Sequence, residues 1–149
     1  MEQFALALKQ KTFFLAGQVN RLYAVGFSDS GNTLRSSYEP LGHKVFDLTF
    51  VCTADYSEPV KFNGDNPIMV VNIDADFDAL WNSDSQFPQY RYYDIAGGPH
   101  FSNIAGTTPI NWLLIARALF IAGDEWVRNG TPPPASGKLS APPDSSTSK

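Results

Sequence analysis

Two continuous apolar runs rich in β-branched residues, 46–53 (FDLTFVCT) and 67–73 (PIMVVNI), constrain the fold of this chain more than any other feature. Runs of this length and composition are typical of strands that are buried on both faces, as in parallel sheets covered by helices. The linker between them, residues 54–66, is turn-like and barely long enough for the crossover that a parallel pair requires. The two runs therefore predict the centre of a mostly parallel sheet.

Patterns on either side of these runs extend the sheet and add helices. Further strands are predicted at 21–25, ending at Gly26, and at 89–95. Helical patterns cover 4–14, 29–38, a short stretch at 77–81, and 109–128. The last helix has Pro109 in its first turn and Asn129-Gly130 as its stop signal. This order predicts an α/β, three-layer fold, in which a mostly parallel sheet of about four strands is flanked by helices.

Composition sets the domain count. A chain of 149 residues that is 43% apolar and 17% charged has enough apolar mass for one core. Residues 131–149 contain five of the eleven prolines, five serines and almost no large apolar side chain. Such a segment cannot recover the entropy cost of ordering, so we predict a domain at 1–130 and a disordered Pro/Ser-rich tail at 131–149.

Charge and cysteine content argue against several classes of partner. The formal net charge is -4 and the basic residues are scattered, which argues against nucleic acid. Cys52 is the only cysteine, and with two histidines the chain has no cluster of zinc-binding spacing, so no metal or cofactor is expected. The best apolar stretch, 112–122, is interrupted by Arg117 and is too short for a membrane span. The start of the chain lacks the layout of a secretory signal, which favours the cytoplasm by default.

The segment GFSDSG, residues 26–31, lies where the first predicted strand turns into its helix. A serine on such a tight turn projects outward, and small residues two positions to either side let the strand and helix approach closely. Ser28 therefore occupies the position of a nucleophile, and the Asp29 amide can donate to a developing oxyanion. In the Gly-x-Ser-x-Gly pattern that is usual for such a turn, position 30 would be glycine. Here it is Ser30, and Gly31 follows directly. The alternative interpretation is a strand-ending turn in which Ser28 caps the helix.

A serine nucleophile needs a general base and an acid that orients this base. The run 67–73 is followed by three aspartates, and the last predicted strand is followed by AGGPH, which puts His100 after a Gly-Gly-Pro turn. Parallel strands bring such loops to one carboxyl edge of the sheet. Asp76 is the preferred acid because it lies past the strand end, with Asp74 and Asp78 as alternatives. The three carboxylates could instead hold a hard cation, a lesser interpretation because no further oxygen ligands accompany them.

Together these motifs resemble the C-terminal half of the α/β-hydrolase fold, and most closely a poorly characterised bacterial α/β-hydrolase domain family. The resemblance covers nearly the whole chain before the tail, and the chain order Ser, Asp, His is that of the fold. It implies an esterase-like serine hydrolase of small-molecule esters, with Ser28 as nucleophile, Asp76 as acid and His100 as base. The motifs are the turn 26–31 followed by Leu34-Arg35, the strand and acidic turn 70–76, the turn 96–100 and the ending 126–136.

The resemblance also departs from the complete fold. A whole α/β hydrolase has roughly four strands before the nucleophile strand, and the loop after the third supplies a second oxyanion donor. Here the residues before Gly26 suffice for one helix and the strand 21–25, so this strand is expected at an exposed edge. Self-association through strand 21–25 and the apolar face of helix 4–14, or pairing with a missing N-terminal half, would cover that edge.

The exposed edge supports a second hypothesis, a catalytically inactive truncated hydrolase that serves as a binding or assembly module by strand addition. The intact Ser28, Asp76 and His100 favour the enzyme, whereas the missing oxyanion loop favours the module. A third interpretation, a flavodoxin-like nucleotide binder, needs a phosphate loop after the first strand. Phe27 and Asp29 would crowd and repel a phosphate there.

Overall fold

The computed structural model describes residues 2–11, 19–34, 45–52, 66–73, 88–95 and 111–137. The predicted helix at 77–81 and most of the linker 54–66 lie outside these ranges. None of the helices in the described ranges is long and apolar enough to cross a membrane. In chain order the elements are α1 (Glu2–Lys9), β1 (Tyr23–Phe27), α2 (described over 29–34), β2 (Leu48–Cys52), β3 (Ile68–Asn72), β4 (Tyr90–Asp94) and α3 (Trp112–Asn129).

The four strands form one parallel sheet in the order β1-β2-β3-β4, which confirms the predicted α/β fold. β2 and β3 are buried at every position, as their continuous apolar runs predict. β1 lies two residues later than the predicted strand 21–25. The backbone N–H of Leu22 donates to the Asp47 carboxylate at 2.8 Å, so regular pairing with β2 starts only at Tyr23.

The sheet separates two apolar clusters, which makes the fold three-layered. One face carries Leu48, Phe50, Met69 and Val71 under α3. The opposite face carries a cluster to which Leu34 of α2 packs, and its members are Val51, Ile68, Val70, Tyr90 and Tyr92. α2 and α3 therefore cover opposite faces of one sheet.

Only the C-terminal boundary of α3 agrees with the prediction from sequence. Gly130 is left-handed (φ 72°) and its N–H donates to the Trp126 carbonyl at 2.9 Å, as the Asn129-Gly130 stop predicts. The start is different, because Asn111 is the N-cap residue and the helix begins at Trp112. α3 therefore begins three residues after the start of the predicted range 109–128. Pro109 itself lies outside the described residues.

α1 is shorter than the predicted helix at 4–14, because it ends at Lys9. Lys11 adopts a left-handed backbone (φ 55°), and its N–H donates to the Leu8 carbonyl at 3.2 Å. A residue in that conformation ends a helix in the way a C-terminal glycine does, and side-chain patterns do not reveal it. Lys9 forms an ion pair with Asp47 at 3.0 Å, which ties α1 to the start of β2.

Residues 131–137, which composition assigns to the tail, lie along β4. The Tyr92 N–H donates to the Ser136 hydroxyl at 2.8 Å, and the Asp94 N–H donates to the Gly137 carbonyl at 2.9 Å. Pro133 is buried, and its carbonyl accepts from Arg91, which also stacks over the Trp126 ring. Residues 131–137 thus lie along the outer edge of β4, where backbone and side-chain oxygens accept hydrogen bonds from the strand. The tail remains a prediction for residues 138–149, which lie outside the described ranges.

A phenol–carboxylate hydrogen bond joins the other edge strand to α3. The Tyr23 hydroxyl donates to Asp124 at 2.6 Å, and Arg128 contacts the same carboxylate at 3.4 Å. Burial and then the Asp124 hydrogen bond raise the pKa of Tyr23 to about 12. The hydrogen bond from Tyr23, with help from Arg128, lowers the pKa of Asp124 below its usual value. The neutral phenol and the charged carboxylate therefore stabilise the contact together.

Alkaline pH should remove the stabilisation that this contact provides. Between about pH 10 and 12 Tyr23 ionises in the unfolded chain while it stays protonated in the folded one, so the free energy of unfolding falls as pH rises. Urea titrations of the natural chain and of Tyr23→Phe should therefore show a stability difference that is constant below about pH 9 and shrinks above pH 10. Cys52, whose pKa burial also raises, is present in both chains and cancels in the difference. A difference that is independent of pH would contradict this assignment.

Candidate active site

Ser28 directly follows β1 and directly precedes α2, as the turn 26–31 predicts. Its backbone is left-handed (φ 52°), and Lys11 is the only other non-glycine residue with positive φ in the described ranges. The Ser28 N–H donates to the Cys52 carbonyl at 3.0 Å, and the Ser28 carbonyl accepts from Asn32 at 3.0 Å. The turn is thus held to β2 on one side and to the first turn of α2 on the other.

The close approach of strand and helix requires glycine at position 26. A Cβ at Gly26 would lie 2.7 Å from the Gly31 Cα and 2.8 Å from the Ser30 carbonyl oxygen. Real Cβ atoms do not approach backbone atoms so closely, so the strand and the helix would have to move apart. Gly31 is itself buried. Gly31 is therefore the helix residue at the point of closest contact with β1.

Ser30, which replaces the expected glycine, forms two hydrogen bonds with the last residue of β1. Its hydroxyl accepts from the Phe27 N–H at 2.8 Å and donates to the Phe27 carbonyl at 2.7 Å. Alternate residues of β1 bond to β2, so both Phe27 groups face the outer side of the edge strand. The serine side chain therefore takes the place of a neighbouring strand at the last residue of β1.

Sequence reasoning did not single out a polar cluster at the carboxyl ends of β3 and β4. Asp94 accepts from the Tyr92 hydroxyl at 2.6 Å and from the Asn72 amide at 3.1 Å, both at the same oxygen. Asn72 and Tyr92 are buried, and the Ile95 N–H donates to the Asn72 carbonyl at 2.8 Å. The cluster lies immediately before the two segments that carry Asp76 and His100. A polar residue at the end of an otherwise apolar strand, as Asn72 is at the end of β3, is the signal that could have found it.

Truncating Asp94 should destabilise the fold, because the buried Tyr92 hydroxyl loses its short hydrogen bond. Asp94→Ala is expected to lower the free energy of unfolding by about 1–2 kcal/mol. Asp94→Asn keeps an oxygen that can accept both bonds, so it should cost about half as much or less. Chemical denaturation of the three chains measures this order. Equal stabilities for Asp94→Ala and the natural chain would show that the cluster contributes nothing.

An apolar groove of about 640 Å³ runs beside β1 and reaches the residue before Ser28. Phe27 stacks on Trp112 of α3 with ring centroids 5.7 Å apart, which forms the end of the groove nearest the turn. Cys52 also lines it, but burial raises the pKa of this thiol to about 12. The thiol is therefore protonated at neutral pH and does not compete with Ser28 as a nucleophile.

Of the other predicted site residues, the structure describes only Asp29. Asp29 is exposed at the first residue of α2, and its carbonyl accepts from the Thr33 hydroxyl. Asp76 and His100, with the alternative acids Asp74 and Asp78, lie outside the described residues. Across the ranges that are described, no group of three or more His, Cys, Asp or Glu residues could hold a metal ion.

Comparison with known proteins agrees with this architecture. A family model described as an alpha/beta hydrolase domain matches residues 1–147. A search of curated proteins and a search of solved structures found no match. The parallel sheet between two helical layers and the tight turn after β1 are what such a domain requires. With the family model covering almost its entire length, the chain belongs to the α/β-hydrolase domain family.

Proposed function

We propose that this chain is a serine hydrolase that cleaves carboxylic esters of small molecules through an acyl-enzyme. Ser28 is the nucleophile, His100 the general base, Asp76 the acid that orients His100, and the Asp29 amide an oxyanion donor. The observation that carries the proposal is the left-handed backbone of Ser28 on a strand-to-helix turn. No cofactor takes part in this reaction.

Backbone strain is the reason that this observation carries weight. A non-glycine residue at positive φ costs on the order of 1–3 kcal/mol and persists where the surrounding structure enforces it, often at functional sites. At Ser28 two backbone hydrogen bonds and the contact of Gly26 with Gly31 enforce it. A serine that merely capped a helix would adopt an extended backbone without strain. The strained geometry therefore favours the nucleophile over the helix cap.

The strand order allows the partners to reach Ser28. β3 is two strands from β1, or about 10 Å, and β4 is three strands away, or about 14 Å. Asp76 comes four residues after Asn72, a stretch that can span up to about 14 Å. His100 comes six residues after Asp94, a stretch that can span up to about 20 Å. Both segments are thus long enough to bring their side chains to the end of β1.

In the proposed reaction, the Ser28 hydroxyl oxygen attacks the ester carbonyl carbon while His100 takes the hydroxyl proton. The Asp29 N–H donates to the carbonyl oxygen as it becomes negative. His100 then gives the proton to the departing alcohol, and the acyl group remains on Ser28. A water molecule, deprotonated by His100, releases the acid and restores the serine.

One observation favours the second candidate, a non-catalytic module that binds by strand addition. Val25 is 60% exposed at the middle of β1, and its backbone N–H and C=O face away from β2. In the described part of the sheet β1 is the edge strand, and Ser30 covers it only at Phe27. Such an edge can accept a strand from another copy or from another chain.

A fluorophosphonate probe separates the two candidates, because only an activated serine reacts with it. We expect the full chain to be labelled, and labelling to disappear in Ser28→Ala and after denaturation. Ser136→Ala is a matched control, since this serine contacts Tyr92 at the opposite edge of the sheet and should not affect labelling. A folded chain that resists the probe would exclude the hydrolase and leave the module.

A further inference from the structure

The solvent-facing side of α3 is unusually apolar. Five large apolar side chains are exposed in the described residues, and all but Val25 lie on this helix. Leu114 is 64% exposed and Ile121 is 51% exposed, although the opposite side of the same helix is buried through Trp112, Ala116 and Trp126. A helix with one apolar side packs on its own sheet, whereas a second apolar side is typical of an interface.

Two charged residues, Arg117 and Glu125, flank the exposed apolar side of α3 at a regular spacing. Arg117, Ile121 and Glu125 are four residues apart, so they form one row along the exposed surface of α3. Arg117 and Glu125 lie at equal distances on either side of Ile121 and carry opposite charges. The row is therefore positive, then apolar, then negative from its N-terminal end.

Neither Arg117 nor Glu125 pairs with an opposite charge within α3. The residues three and four positions from Arg117 are Leu113, Leu114, Phe120 and Ile121. Glu125 has Arg128 three positions ahead, but Arg128 pairs with Asp124 at 3.4 Å. In the described part of the chain, no ion pair is formed by Arg117 or Glu125. Both charges are thus available to a partner surface.

We propose that α3 is a homodimer interface, in which the Arg117–Ile121–Glu125 rows of two copies pack antiparallel about a twofold axis at Ile121. In the commonest class of helix packing, rows of this i, i+4 kind lie side by side with axes crossing at roughly 50°. An antiparallel alignment puts each Arg117 beside Glu125 of the second copy, and Ile121 against its equivalent. A twofold interface must be self-complementary, and the equal spacing of opposite charges about Ile121 meets this condition.

A second copy fits these observations better than an unrelated protein. An unrelated partner would need an apolar surface with an acid and a base, but nothing would require their symmetric placement on α3. Arg117 shares the groove lining with Val25, but Ile121 and Glu125 do not line that groove, so the interface is centred away from the open edge of β1. The two modes of self-association can therefore be tested separately.

Sedimentation equilibrium of the full chain tests the proposal through a charge exchange. The natural chain should dimerise, and Arg117→Glu or Glu125→Arg alone should raise the dimer dissociation constant by about ten-fold or more, because like charges then face each other twice. The double exchange Arg117→Glu/Glu125→Arg should restore the dissociation constant to within about three-fold of the natural value. Ile121→Glu should leave a monomer, and its unchanged circular dichroism should show that this exposed position does not affect folding.

Two control variants separate the α3 interface from a general effect of net charge and from pairing at the strand edge. Arg21→Glu makes the same change in net charge as Arg117→Glu, but at another exposed position, and should leave the dimer intact. Val25→Glu disrupts the strand edge and should also leave it intact. A natural chain that is monomeric at its highest soluble concentration overturns the proposal. So does a double exchange that fails to restore the dimer, or a dimer that Val25→Glu abolishes and Ile121→Glu does not.

Discussion

Replacing Ser28 with alanine is expected to lower the turnover of a short activated ester by roughly four to six orders of magnitude, while the fold is retained. The side chain removed is small and follows a turn that backbone hydrogen bonds hold, from the Ser28 N–H to Cys52 and from Asn32 to the Ser28 carbonyl. Alanine keeps both bonds. The loss would therefore report chemistry rather than unfolding, and steady-state hydrolysis with a parallel thermal melt measures both.

The same experiment extends to the partners of Ser28. His100→Ala should cost about as much as Ser28→Ala, and the double variant should cost little more, because nucleophile and base act as a unit. Asp76→Ala should cost less, since the acid only orients and stabilises the base. If Asp74→Ala or Asp78→Ala shows the larger loss instead, the acid is reassigned and the mechanism stands. Undiminished activity in Ser28→Ala would exclude Ser28 as the nucleophile.

The central strands could be predicted from sequence because a strand that is buried on both faces consists of a continuous run of apolar residues. β2 and β3 lie within the apolar runs 46–53 and 67–73, and their parallel pairing agrees with strands that are buried on both faces. The turn at Ser28 could be predicted for a related reason. Only glycine fits at position 26, where the strand touches the helix, and Gly26 records that contact in the sequence.

Features that depend on tertiary partners could not be predicted in this way. Residues 131–137 resemble a tail because they lack large apolar side chains, yet Ser136 and Gly137 satisfy the outer edge of β4 through hydrogen bonds. Lys11 ends α1 by its backbone conformation, for which lysine carries no signal. The bond from Tyr92 to Asp94 joins neighbouring positions on one face of a strand, where the sequence shows only an aromatic strand with an acidic end.

Substituting Gly26 with alanine should remove both probe labelling and much of the stability, through steric overlap alone. The added Cβ would meet backbone atoms of Ser30 and Gly31 at 2.7–2.9 Å, and backbone cannot rotate aside as a flexible side chain can. α2 must then move away from β1, which breaks the Ser30 contacts with Phe27 and releases the strain at Ser28. We expect a loss of about 3 kcal/mol in the free energy of unfolding.

Two other glycines separate this steric effect from a general cost of adding a methyl group. Gly130→Ala meets no atom within 4 Å but sits at φ 72°, so it should cost only the roughly 1 kcal/mol of a left-handed alanine. Gly137→Ala meets no atom within 4 Å either and needs no positive φ, so it should be nearly neutral. Urea denaturation gives the three stabilities, and fluorophosphonate labelling should survive in the two controls. If Gly26→Ala is as stable and as reactive as Gly137→Ala, the close contact between β1 and α2 does not create the turn, and the strained serine loses its structural basis.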